Sequence, residues 1–120
     1  MKQFTFINAY KALEQIADNA NLTKKDQWNL YKLRVMLRPH VEFQEEQERI
    51  VRGKYAEYAD ENGILTGEKA AEFAKEMQSI VDTEIEYEPV EKIRIEMVDG
   101  ITFKTIEALE EFIEFLPPED

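Results

Sequence analysis

Between Lys24 and Ala59 the chain runs for thirty-six residues in which only Pro39 and Gly53 disfavour a helix. A helix of that length spans about 54 Å, well beyond the width of a compact body of 120 residues. The segment must therefore project as part of a long helical hairpin, or Pro39 must break it. Proline inside a helix removes one hydrogen bond and crowds the preceding turn, at about 3 kcal/mol. Residues on both sides are strongly helical, so a kink at Pro39 is the expectation. The start is well marked: the Thr23 hydroxyl can cap the first turn, and Asp26 places negative charge at the positive end of the helix dipole.

The two halves of this segment differ. Trp28, Leu30, Tyr31, Leu33, Val35, Met36 and Leu37 are apolar on most faces, which predicts burial. From Glu42 to Arg49 the only apolar side chain is Phe43, before Ile50 and Val51 resume. That stretch reads as solvated, with a narrow apolar seam. Four seam residues, Phe43, Ile50, Tyr55 and Tyr58, form the candidate protein interface.

The flanking elements follow from spacing. Tyr10, Leu13, Ile16, Ala17 and Ala20 recur at helical intervals, predicting a first helix from about Asn8 that stops near Asn19 and Asn21. Phe4 and Phe6 alternate with polar neighbours, as in a short strand or packed arm. Asp60-Glu61-Asn62-Gly63 is a turn by composition. Beyond it, Thr66 is a candidate cap for a third helix carrying Ala70, Phe73, Ala74, Met77, Ile80 and Val81. This helix is expected to pack antiparallel on the distal part of the second.

The period then switches to two. Ile85 and Tyr87 alternate with acids up to Glu88 and Pro89, and Ile93, Ile95 and Met97 alternate with Lys92, Arg94 and Glu96. Asp99-Gly100 between Val98 and Ile101 is a strong hairpin signal, giving Ile101-Thr102-Phe103 as the return strand. Thr102 or Thr105 then caps a last helix with Ile106, Leu109, Phe112, Ile113 and Leu116 on one face, ended by Pro117-Pro118 with Glu119 and Asp120 fraying. The expected fold is α+β and mainly α. It has about four helices, the long second one kinked at a proline and packed antiparallel on the third, plus a small C-terminal β-hairpin. A single domain over 1–120 is expected, with 24–82 as the projecting helical hairpin and 84–116 as β-hairpin plus helix.

Composition narrows the chemistry. The chain has no cysteine and one histidine, His40, which removes disulfides, thiol catalysis and multi-histidine metal sites. Twenty-six acids against fifteen bases give a net charge of −11, the wrong sign for a general nucleic-acid binder. Charge is also uneven along the chain, at +4 over 1–40, −5 over 41–80 and −10 over 81–120. No apolar run approaches the roughly 20 residues of a membrane span, and the N-terminus lacks a secretory h-region. No membrane association is expected, and the cytoplasm is the expected location. Phosphate-binding glycine loops, Gly-x-Ser-x-Gly and His-Glu-x-x-His are all missing from the sequence.

Three clusters remain. His40, beside Pro39, reads as a satisfied or surface histidine at the kink, since a metal site there would need carboxylates from elsewhere. Lys24, Lys25, Lys32, Arg34 and Arg38 surround Trp28 and Tyr31 in a way that suggests base stacking, but the aromatics fall in the most apolar stretch and are assigned to the core. Glu107, Glu110, Glu111 and Glu114 lie opposite the apolar face of the predicted last helix and form a candidate acidic patch. No catalytic residue, metal ligand or cofactor is assigned, and the chain is not expected to be an enzyme.

The order of features resembles a family of small phage and prophage proteins of Gram-positive bacteria. The likeness rests on a short first helix and a long charged helix ending in Lys54-Tyr55-Ala56-Glu57-Tyr58-Ala59-Asp60-Glu61-Asn62-Gly63. It also rests on a closing module in which Gly100-Ile101-Thr102-Phe103 leads into Ile106 to Phe115. The resemblance implies a phage context and no mechanism. The function expected is a non-enzymatic interaction module, a phage accessory or assembly protein that contacts a protein partner or a second copy of itself as a homodimer. The alternative is an acidic inhibitor that mimics nucleic acid and blocks a basic groove on a host protein.

Overall fold

The computed structural model describes residues 1–87 and 91–117. Its elements in chain order are α1 (Gln3–Ile16), α2 (Lys24–Tyr55), a 3₁₀ turn (Ala56–Tyr58), α3 (Gly67–Val81), β1 (Ile93–Glu96), α4 (Phe103–Leu109) and β2 (Ile113–Leu116). The class is α+β and mainly α, with four α-helices and a small two-stranded sheet near the C-terminus among the described residues.

Thr23 caps α2 as its sequence requires, its Oγ1 accepting the Asp26 amide at 3.1 Å. Pro39 does not end the helix, which continues for 32 residues. At 1.5 Å per residue this is about 48 Å, most of the molecule's 58 Å long axis. The body sits at one end of that rod. Leu30, Leu33 and Leu37 of α2 are buried against Phe6, Ala9 and Leu13 of α1 and Ile95, Leu109 and Phe112 of the C-terminal unit. Each such leucine contributes roughly 1.5–3 kcal/mol by leaving water.

Past His40 the picture changes: α2 buries only Tyr55, and α3 contains no buried residue at all. The two helices run antiparallel. Lys54 pairs with Glu76 at 2.6 Å and the Tyr55 ring meets Phe73 edge-on at 5.7 Å, while at the other end the Gln3 amide reaches the Thr83 carbonyl and its side chain the His40 carbonyl. The tip is the predicted turn. Asp60 Oδ1 accepts the amides of Asn62 and Ile64, and Gly63 takes φ +76°.

Several local expectations are corrected. Helix α1 starts at Gln3, not near Asn8, and takes in Phe4 and Phe6. Phe6 in fact begins the helical spacing continued by Ala9, Leu13 and Ile16, and is fully buried. Glu84 makes a single antiparallel bridge with Lys2, but Ile85 to Tyr87 form no strand. Glu88 and Pro89, where that alternation was to end, lie outside the described residues, as do Pro118, Glu119 and Asp120.

The C-terminal β-hairpin is replaced by a parallel pair. β1 aligns with β2 so that Ile93 faces Ile113 and Glu96 faces Leu116, with α4 as the crossover. Ile101-Thr102-Phe103 is no return strand: Thr102 caps α4, accepting the Thr105 amide at 3.3 Å. The last helix stops at Leu109, and 113–116 are extended. The Asp99-Gly100 turn fails to close a hairpin because its partner is elsewhere. The Asp99 carbonyl accepts from Asn19 and Asn21 in the α1–α2 loop, at 2.8 and 3.3 Å.

Candidate interaction surface

Along α2 the buried side chains Leu30, Leu33 and Leu37 define one face. Trp28, Tyr31, Val35, Met36, Phe43 and Ile50 are large, apolar and exposed, from 38% for Met36 to 60% for Trp28. At 100° per residue these six fall within about 140° of the circumference, centred opposite the buried leucines and extending ~33 Å along the axis. Pro39, also exposed, lies at the middle of this stripe.

The expected burial of Trp28, Tyr31, Val35 and Met36 is therefore corrected. A helix lying on a body can bury only one side, and Leu30, Leu33 and Leu37 occupy it. The signal was legible in the lysines. Lys24, Lys25 and Lys32 share the outer face with Trp28, and a buried face could not carry them. Trp28 and Tyr31 stack at 5.4 Å between centroids, with planes 25° apart. In the sequence, the argument against stacking on nucleic acid is the assignment of these rings to the core. That reason no longer holds; the net charge of −11 opposes such binding for the chain as a whole, although α2 itself is net positive.

The candidate interface residues divide into two groups. Phe43 and Ile50 lie on the outer stripe. Tyr55 does not: it is buried between α2 and α3, and the neighbouring Glu76 carboxylate, together with burial, pushes its hydroxyl pKa up to about 12. Tyr58, in the 3₁₀ turn, is half exposed, with Lys69 Nζ 4.4 Å from its ring centroid. These tyrosines line an open groove of about 490 Å³ near the tip with Arg52, Ala59, Leu65 and Phe73, or lie beside it.

The acidic patch is spread over three elements instead of one helix face. Glu107 is on α4, Glu110 and Glu111 are in the following turn, and Glu114 is on β2. All are exposed. Glu107, Glu110 and Glu111 border a shallow depression with Phe4, Thr5 and Asn8, whereas Glu114 pairs with Arg94 across the sheet at 3.2 Å.

His40 stacks on Phe6 and is held below its ordinary 6.5 by burial. It faces the core and lies on neither surface. No helix among the described residues is long and apolar enough to cross a membrane. The chain matches no protein-family model, no curated protein and no solved structure.

Proposed function

We propose that this chain is a non-enzymatic protein-interaction module, a phage accessory or assembly protein of the cytoplasm, and that it binds through the outer face of α2. The observation that carries the reading is the stripe itself. Six large apolar side chains on one exposed helix face exceed what scattered surface hydrophobics account for. A tryptophan, a tyrosine and a methionine among them match the residue types enriched at contact surfaces.

The test compares capture by the wild-type chain with capture by the triple variant Val35→Ser/Phe43→Ser/Ile50→Ser. The reading expects a specific bound protein, whether another chain or this one, that the variant loses. Equal capture by both proteins, or none by either, overturns it.

A second reading, the acidic mimic of nucleic acid, draws on the grouping of Glu107, Glu110 and Glu111 around one depression. It expects a basic partner released by salt, because exposed charge attraction is screened within about 8 Å at physiological ionic strength. Binding that survives 1 M salt removes it.

A further inference from the structure

The outer stripe of α2 has a symmetry that specifies its occupant. Val35 and Phe43 lie four residues to either side of Pro39, Lys32 and Glu46 seven, and Trp28 and Ile50 eleven. All six are exposed on the same face as Pro39. Within this set apolar faces apolar and cation faces anion, an arrangement complementary to a copy laid antiparallel, while Tyr31 and Met36 at the flanks of the stripe face Gln47 and Glu42. In that register Trp28 meets Ile50, Val35 meets Phe43, and Lys32 meets Glu46, each twice.

We infer that the partner of this face is a second copy of the chain, paired antiparallel through α2 about a twofold axis beside Pro39. The inference rests on the interaction reading above and names the occupant. Charge supports it at two levels. Lys32 has no ion-pair partner among the described residues, whereas Glu46 is kept charged by Arg49, whose hydrogen bond holds its carboxyl below the usual range. The acids behind the net charge of −11 concentrate in the last third of the chain, and antiparallel pairing sets the first half of α2, with five bases and one acid over 24–38, against the second half, with four acids and three bases over 39–55. Pro39 suits the axis. On an exposed face its missing N–H removes the one hydrogen bond it would donate to the Val35 carbonyl without disturbing the core.

Because the chain has no cysteine, introduced thiols report the register directly. Three single variants, Trp28→Cys, Pro39→Cys and Ile50→Cys, replace exposed side chains and leave the core intact. Under mild oxidation, Pro39→Cys is expected to couple to itself. Trp28→Cys and Ile50→Cys are expected to couple when mixed and not alone. Self-coupling of the 28 and 50 variants would mean a parallel pair and overturn the antiparallel register. In sedimentation, Lys32→Glu and Glu46→Lys are each expected to weaken the dimer about tenfold, and the double exchange to recover most of the loss. Failure of that recovery overturns the pairing.

A chain that stays monomeric at about 0.5 mM, or whose Trp28 emission shifts only on adding an oligonucleotide or anionic vesicles, overturns self-pairing. If such a monomer still captures another protein that the stripe variant loses, the interaction reading stands without the dimer. Where capture also fails, both fall.

Discussion

The imidazole of His40 lies on the Phe6 ring, with centroids 4.1 Å apart and planes 22° from parallel. This is where α2 crosses α1, and burial there disfavours the charged imidazolium, lowering its pKa from 6.5. The unfolded chain then binds the proton more readily than the folded one. Stability is complete above about 6.5 and falls as pH drops through the lower folded value. Urea midpoints at pH 7.5 and 5.5 are expected to differ more for wild type than for His40→Phe. Equal differences would show that His40 does not carry this dependence.

The two faces of α2 are expected to respond oppositely to truncation. Leu37→Ala removes a fully buried side chain and should cost about 2–5 kcal/mol. Phe43→Ser removes a half-exposed one and should stay within about 0.5 kcal/mol in the monomer. Denaturant unfolding at low protein concentration checks both values.

Gly100 takes φ +96°, and a Cβ there would lie 2.8 Å from Asn19 Nδ2. That amide donates to the Asp99 carbonyl, so the turn and the α1–α2 loop are fitted to each other. Gly100→Ala is expected to cost about 1–3 kcal/mol from strain and contact together. In an Asn19→Ala background the contact is gone, so the same change should cost measurably less. Additive costs would mean that the two sites act independently.

Tyr55 should be the last tyrosine to ionise. Its hydroxyl is held at about 12, with the neighbouring Glu76 carboxylate as the leading cause. Ultraviolet difference titration is expected to show one late phase, absent in Tyr55→Phe and moved towards 10 in Glu76→Gln. Retention of the late phase in Glu76→Gln would remove Glu76 as its cause.

Much of the architecture was legible because local signals and packing agree. Thr23 and Asp26 mark the start of α2, Asp60 to Gly63 mark the tip, and Phe73 and Met77 mark the face of α3 turned to its neighbour. The errors come from positions where two periods coexist or where a distant partner decides. Residues 112–116 satisfy both a helical face and the alternation Ile113, Glu114, Phe115. Pairing with β1, far back in the sequence, selects the strand. Asp99-Gly100 carries hairpin chemistry, yet Asn19 and Asn21, about eighty residues away, claim its carbonyl. The stripe is hidden in the sequence because the buried Leu30, Leu33 and Leu37 alternate with the exposed Trp28, Tyr31, Val35 and Met36, making the segment apolar on both sides of the helix. Phe43 and Ile50 were found because polar neighbours isolate them, whereas Trp28 and Tyr31 were masked by Leu30 and Leu33.

The distal arm, from about residue 41 to 82, buries only Tyr55 and is held by half-buried contacts such as Tyr55 with Phe73 and by the ion pair of Lys54 with Glu76. Its length is thus nearly independent of the body's stability. Adding seven residues to each helix would carry the tip about 10 Å outward while leaving Leu30, Leu33 and Leu37 in place. Evolution or an engineer could therefore tune the reach of this rod as one would lengthen a spacer, without redesigning the part that folds it.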